Sequence, residues 1–182
     1  AYSEVAAPPG NVSVHPRLIP YMTYDRMKWK DPELRETGEA LTRQWHAKSP
    51  VLGWYDYIYG TPYCLPRVWF HHMAEYYRFG CATGVRAMYA EAYPNWGEGP
   101  KLYISLRLQW DPNADVDALL DEWYARCAGE EAAPFLKQYY AHWEDFWTRR
   151  VLDSKWFSKG GQYLSFSTPG YLSDITRDDI EK

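Results

Sequence analysis

Three stretches of the chain carry the apolar patterns that predict β-strands. They are RLIPYMTY at residues 17–24, VLGWYDY at 51–57 and GVRAMYAEAY at 84–93. In the third stretch, successive residues alternate between two faces, as they do on a strand with one buried side. Pro20 marks the first stretch as an edge or bulged strand, because proline has no N–H to donate to a neighbouring strand.

Helical patterns separate these strands. DPELRETGEALTRQWHAKSP at 31–50 starts with Asp31 as the N-cap and Pro32 at the first helical position. LPRVWFHHMAEYYRFG at 65–80 gathers its large apolar residues on one face and ends at Gly80. A strand therefore recurs roughly every 32 residues, which is typical of βα units with parallel strands and right-handed crossovers. The pattern predicts an α/β fold.

Later in the chain the spacing of apolar residues becomes helical. DVDALLDEWYARCAG at 115–129 and EEAAPFLKQYYAHWEDFWTRR at 130–150 each carry an apolar face. The tail from Val151 is loop-rich apart from a short helix near Thr176. KLYISLRLQW at 101–110 fits a strand by its strict alternation and a helix by its other spacings, so periodicity leaves it ambiguous.

These patterns divide the chain into partial βα units at residues 1–110, a helical part at 111–150 and a loop-rich tail at 151–182 that leads to a following segment. Three parallel strands alone would leave two long edges unpaired, and parallel sheets normally lie between layers of helices. Either another sheet completes the fold, or the chain is part of a larger assembly. No stretch of about 20 apolar residues predicts a membrane span.

The composition is that of an ordinary globular protein except for its aromatic residues. The 182 residues carry a formal net charge of −4 and no basic run, which argues against a nucleic-acid surface. No histidine or cysteine spacing typical of a metal site occurs, and we expect no cofactor. Aromatic residues make up 18% of the chain. This excess indicates a large core, or surfaces on which planar or sugar rings stack.

Several segments resemble a known family. LYISLRLQWDPNADVDALLDEWYARCAGEEAAP at 102–134 is similar to the end of the barrel in bacterial glycoside-hydrolase-like proteins of domain-of-unknown-function family 4838. The WYDY strand, the LPRVWF helix start and the GVRAMYAEAYPNWG strand also look like successive βα units of that family. The family is similar in style to the alpha-glucuronidases of glycoside hydrolase family 67. The resemblance covers roughly residues 1–150 and contains no catalytic signature.

The resemblance implies the C-terminal portion of a (β/α)8 barrel, of the TIM type, followed by C-terminal helices. The chain would hold three parallel strands and, in AYSEVAAPP at 1–9, the tip of a fourth. The resemblance also implies a helix at 101–110 and a periplasmic or extracellular location. The N-terminal half of the barrel, or a partner chain, would then cover the sheet edges.

In such barrels, function lies at the carboxyl ends of the strands. That rule selects Asp56 and Glu91 as the candidate catalytic acid and base, since adjacent strand ends would bring them within several ångströms of each other. The candidate substrate-binding residues are Tyr24, Asp25, Arg26, Trp54, Tyr55, Tyr57, Tyr59, Tyr89, Asn95 and Trp96. Aromatic rings that stack on sugars, beside carboxylates that accept hydroxyl hydrogens, indicate a glycan site.

The sequence leaves structural interpretations of these residues open. Asp56 would cap the following loop or pair with Arg67, and Glu91 would form a salt bridge at the barrel rim. The candidate cations for that bridge are Arg86, Arg107 and Lys101. In the same way, Asp25 would lie in a solvated turn, and Trp96 would pack under its own loop.

The leading functional hypothesis is a carbohydrate-active, glycoside-hydrolase-like protein that acts on or binds a glycan at the barrel rim. The alternative is a non-catalytic carbohydrate-binding or scaffold module. A third interpretation is an interaction domain that docks a partner through exposed aromatic residues, and it would require Trp143 and Trp147 to be exposed.

Overall fold

The structure, a computed structural model, describes residues 1–181. Its sheet has three parallel strands, β1, β2 and β3, which are adjacent in that order and span Tyr21–Tyr24, Leu52–Tyr57 and Val85–Glu91. In register, Tyr55 lies between Thr23 and Tyr89. The predicted α/β fold with three parallel strands is therefore confirmed. Strand β1 is shorter than predicted, and Pro20 immediately precedes it.

Residues 1–181 contain six α-helices, α1 to α6, which span Pro32–His46, Phe70–Ala82, Lys101–Trp110, Val116–Ala128, Ala133–Thr148 and Arg177–Ile180. Asp31 caps α1 as predicted, since its side chain accepts hydrogen bonds from the first turn of the helix. Helix α2 begins later than predicted, because residues 65–69 form a non-helical segment that buries Arg67 and Trp69. The short helix near Thr176 is present as α6.

Helix α3 settles the ambiguous segment. Its buried side chains are those of Lys101, Ile104, Ser105 and Leu108. This is helical spacing. Leu106 and Trp110 are 66% and 91% exposed, although the alternating pattern and the helical spacing through Leu102 both predicted that they are buried. The helix that the family resemblance implied is confirmed, and the strand interpretation is wrong.

The two faces of the sheet have different surroundings. On one face, here called the helix face, the Trp54 ring of β2 lies 5.6 Å from the Trp29 ring and 6.5 Å from the Phe79 ring of α2. Tyr55 and Tyr57 point to the opposite face, because side chains alternate along a strand. Rings on that second face contact one another and the C-terminal tail. We call it the tyrosine face.

The C-terminal helices bury most of their aromatic residues. Tyr124 of α4 stacks on Tyr140 of α5 with ring centroids 5.9 Å apart. Trp143 and Trp147 are buried, so they do not form the exposed docking surface of the third interpretation. Phe135, which the sequence pattern assigned to the same apolar face, is 73% exposed.

Main-chain hydrogen bonds extend one edge of the sheet. Ala1 donates to the carbonyl oxygen of Tyr21 and accepts from the N–H of Thr23 at 3.0 Å, which is the pattern of a parallel bridge. No fourth strand forms at residues 1–9, where Ser3–Val5 are a short 3₁₀ helix, so the predicted strand tip is reduced to this contact of Ala1. Within the part of the chain that the structure describes, no main chain pairs with the outer edge of β3. No helix in residues 1–181 has the length and apolarity to cross a membrane.

Candidate functional site

A row of tyrosines follows alternate positions of β2 and the loop after it. Tyr55, Tyr57 and Tyr59 lie on the tyrosine face, with neighbouring ring centroids 5.6 Å apart. They share this face because alternate residues of an extended chain point to the same side. The Tyr89 ring of β3 lies 4.8 Å from Tyr55, and Tyr93 stacks on Tyr59 at 5.5 Å. Five rings thus form one continuous aromatic surface.

Glu91 lies among these rings at the end of β3. Its carboxylate accepts hydrogen bonds from the hydroxyl groups of Tyr55 and Tyr59, the latter at 2.6 Å. Burial, the hydrogen bond to Glu91 and the charge of Glu91 raise the pKa of both phenols above the ordinary tyrosine value. Both hydroxyl groups therefore stay protonated at neutral pH and act as donors.

The salt bridge that the sequence left open for Glu91 does not form. Arg86 donates to main-chain oxygens, Arg107 pairs with Glu122, and Lys101 pairs with Glu98. Across residues 1–181, no lysine or arginine nitrogen lies within ion-pair distance of Glu91. In this described part of the chain, the side-chain hydrogen bonds to its carboxylate come from the hydroxyl groups of Tyr55 and Tyr59.

Part of the tyrosine face is open to solvent. Tyr89 and Tyr93 are 57% and 59% exposed, whereas Tyr57 and Tyr59 are buried beneath their neighbours. Tyr55 and Glu91 are partly exposed. The exposed rings therefore flank a carboxylate that solvent, or a ligand, can reach.

Asp56 lies on the helix face, away from Glu91. Tyr57 is in register with Glu91, and Asp56 is in register with Ala90, so the two carboxylates point to opposite sides of the sheet. Asp56 is fully buried, and its Oδ1 accepts from the N–H groups of Arg26 at 3.0 Å and Tyr57 at 2.9 Å. The predicted acid/base pair of Asp56 and Glu91 is therefore corrected, because the structure does not bring the two side chains together.

Four predicted substrate-binding residues also belong to the buried side of the sheet. Asp25 and Arg26 are each 1% exposed, and Asp25 pairs with Arg67 at 2.7 Å instead of lying in a solvated turn. The Trp54 ring lies 4.0 Å below the Arg26 guanidinium group. Tyr24 points to this side too, as its register against β2 requires. None of the four lines the tyrosine face.

Three buried ion pairs support the main chain beneath the tyrosine row. The carbonyl oxygens of residues 55, 57 and 59 accept, in that order, from Arg26 at 3.2 Å, Arg67 at 3.0 Å and Lys101 at 2.9 Å. In the same order, the three cations pair with Asp56, Asp25 and Glu98. Burial lowers the pKa of Lys101 to about 7, against the opposing effect of Glu98. We call these the supporting ion pairs.

The loop after β3 holds the last two predicted residues. Asn95 precedes the short 3₁₀ turn Trp96–Glu98, and its main-chain N–H donates to the Glu98 carboxylate at 3.3 Å. The Trp96 side chain is fully exposed, so the interpretation that it packs under its own loop is wrong. No ring contact or hydrogen bond in the described structure joins Asn95 or Trp96 to the tyrosine face.

Sequence reasoning missed Tyr93 of this surface and two aromatic residues of the tail that contact it. Tyr93 had a usable signal, since it lies two positions after Glu91 and continues the alternation of β3. Tyr163 and Phe166 come from the tail, where their rings lie 5.3 Å from Tyr57 and 5.0 Å from Tyr59. The tail has no periodicity that indicates such contacts. Within residues 1–181, no cluster of three or more His, Cys, Asp or Glu side chains is arranged to hold a metal ion.

Comparison with known proteins shows the family. The model of DUF4838, a domain of unknown function, matches residues 1–141, so the chain belongs to this family. The match ends within α5, before the tail that reaches the tyrosine face. No curated protein and no solved structure matches the chain.

Proposed function

We propose that this member of the DUF4838 family binds a glycan on its tyrosine face, and that this face belongs to the C-terminal rim of a (β/α)8 barrel related to glycoside hydrolases. The observation that carries the proposal is the position of Glu91. Its carboxylate lies among five tyrosine rings at the carboxyl ends of parallel strands, where barrel enzymes bind their substrates.

The chemistry of this face suits a sugar. A pyranose presents C–H groups on its faces and hydroxyl groups around its edge. Exposed Tyr89 and Tyr93 rings offer flat apolar surfaces for the C–H faces. A carboxylate has about four lone-pair positions, and Glu91 uses two for tyrosine hydroxyl groups, which leaves acceptors for a ligand hydroxyl group.

The arrangement of strands supports the barrel part of the proposal. The strands are adjacent in their chain order, and α2 follows β2 onto the helix face, as in successive βα units. Ala1 bridges to β1 where a preceding strand would pair, and the outer edge of β3 is free in residues 1–181. A sheet that closes through both edges would put the tyrosine face inside a barrel.

The test measures glycan binding by the chain and by variants of its exposed rings. Tyr89→Ala and Tyr93→Ala should each weaken the binding of β-linked glucose trimers by about threefold to tenfold, because each removes one stacking surface. Isothermal titration calorimetry gives the affinities. Phe135→Ala is the matched control, since Phe135 is also exposed but lies on α5. Equal effects of all three variants, or no sugar binding at all, would contradict the proposal.

Glycoside hydrolysis is the second candidate function, favoured by the position of Glu91 at a strand end. Hydrolysis usually needs two carboxyl groups that flank the bond. Asp56 faces the other side of the sheet, so the partner of Glu91 would come from a strand that pairs with a free edge. Release of shorter sugars from the glucose trimers during the titrations would favour hydrolysis over binding alone, provided that the Glu91→Gln variant no longer releases them.

A further inference from the structure

The tyrosine face carries a negative charge that no cation within residues 1–181 balances. Glu91 has hydrogen bonds from Tyr55 and Tyr59, and in the described chain it forms no ion pair. None of the cation–ring contacts in residues 1–181 involves the five tyrosines of this face. A ligand at this face therefore meets an anionic carboxylate and the electron-rich faces of tyrosine rings.

The nearest cations beneath the row are already engaged. Arg26, Arg67 and Lys101 are fully or almost fully buried and direct their nitrogens at main-chain oxygens and at their own carboxylates. Each supporting ion pair is neutral as a unit. These cations therefore do not offset the charge of Glu91 for a ligand on the other side of the main chain.

This combination favours one class of sugar. Aromatic rings around a carboxylate are the chemistry with which proteins bind organic ammonium groups, since ring faces and the carboxylate both attract positive charge. A uronic acid would bring a second negative charge beside Glu91, and that repulsion would select against it. A neutral sugar would gain stacking and hydrogen bonds without the charge attraction.

We propose that the sugar unit beside Glu91 carries a protonated amino group, so that the tyrosine face selects amino sugars over neutral sugars and excludes uronic acids. This inference rests on the proposed glycan-binding function and adds the class of ligand. Glu91 is the residue that determines the selectivity, and the exposed rings of Tyr89 and Tyr93 provide the contact surface.

The experiment compares four trimers by isothermal titration calorimetry at slightly acidic pH, where amino groups are protonated. They are trimers of glucosamine, N-acetylglucosamine, glucose and galacturonic acid. We expect the glucosamine trimer to bind about tenfold more tightly than the two neutral trimers, from one exposed ion pair plus cation–ring contacts. The galacturonic acid trimer should bind most weakly. Salt should reduce the preference for the amino sugar.

Two variants separate a local effect from the general attraction of an acidic protein. Glu91→Gln keeps the side-chain size and should bring the glucosamine and N-acetylglucosamine affinities within about twofold of each other. Glu36→Gln removes one charge from an exposed position of α1 and should leave the preference intact.

The outcomes distinguish the two proposals. A glucosamine preference that persists in Glu91→Gln, or equally tight binding of the galacturonic acid trimer, would overturn the amino-sugar inference. If the glucose trimer then still lost affinity in Tyr89→Ala, glycan binding itself would stand. Binding of none of the four trimers would overturn both.

Discussion

The Asp56 carboxylate is the buried counter-charge of Arg26, whose guanidinium group also donates to the carbonyl oxygens of Met22 and Tyr55. Asp56→Asn keeps the shape of the side chain but leaves Arg26 buried without its counter-charge. We expect the free energy of unfolding to fall by about 3–5 kcal/mol, the usual cost of removing one partner of a buried ion pair. Urea denaturation curves, monitored by tryptophan fluorescence, measure this change in the free energy of unfolding.

Asp121→Asn is the control for this substitution. Asp121 forms its ion pair with Lys137 at the surface, where such pairs contribute less than about 1 kcal/mol. A stable Asp56→Asn variant that had lost glycan binding would contradict a structural role for Asp56 and return it to the site.

The position of Asp56 shows that the sequence of a strand does not determine which of its two faces packs against the helices. In VLGWYDY, both sets of alternate residues contain large aromatic side chains, so the pattern does not reveal which set faces the helices. Trp54 and Asp56 belong to the helix face, and Tyr55 and Tyr57 belong to the tyrosine face. The sequence predicted an aromatic surface near the strand ends, but not that Glu91 rather than Asp56 would lie on it.

At the scale of elements, the sequence predicted those helix ends and strands that depend on neighbouring residues in the chain. The N-cap at Asp31, the strand at 51–57 and the capped short helix after Thr176 all lie where their residue types indicated. Helix α3 needed more, because its alternating leucines mimic a strand and only burial against α2 distinguishes the two forms. The path of the tail was not predictable, since it depends on hydrogen bonds to residues more than 100 positions away.

Lys28 is one of the residues that hold this tail against the body of the protein. Its buried ammonium group donates to the carbonyl oxygens of Gly160 at 2.8 Å and Gly161 at 2.9 Å. We expect Lys28→Met to lower the free energy of unfolding by about 1–3 kcal/mol, because two main-chain acceptors lose a charged donor. Limited proteolysis should also cut the variant faster within residues 157–166, where the released segment covers Tyr57 and Tyr59.

Lys159→Met serves as the control, because Lys159 is 55% exposed and forms only surface ion pairs with Asp31 and Glu33. It should change stability by less than about 1 kcal/mol. Identical proteolysis patterns for both variants would mean that Lys28 does not hold the tail.

The whole molecule presents a parallel sheet whose two edges are unequally covered. The outer edge of β1 meets Ala1 and, beyond the strand, Asp25 donates its N–H to the Gln162 carbonyl oxygen at 2.7 Å. The outer edge of β3 has no such partner in residues 1–181. Sequence reasoning anticipated the unpaired edges by counting strands, but the use of the tail as a partial cover required the structure.

Amide hydrogen exchange tests whether the outer edge of β3 is unpaired. Amides of β2, which is paired on both sides, should exchange at least about a hundredfold more slowly than those on the outer edge of β3, because edge amides exchange without unfolding of the sheet. Mass spectrometry with fragmentation resolves the two strands. Equal protection would mean that the β3 edge is paired, and sedimentation analysis would then report whether a second copy pairs with it.

The cations of the supporting ion pairs donate hydrogen bonds to main-chain carbonyl oxygens, and not to the tyrosine rings of the same residues. These hydrogen bonds to the main chain do not depend on which side chains residues 55, 57 and 59 carry. The same supporting ion pairs are therefore compatible with other side chains at these positions. A protein with this scaffold can change its ligand by replacing a few outward-facing residues, while the buried ion pairs stay the same.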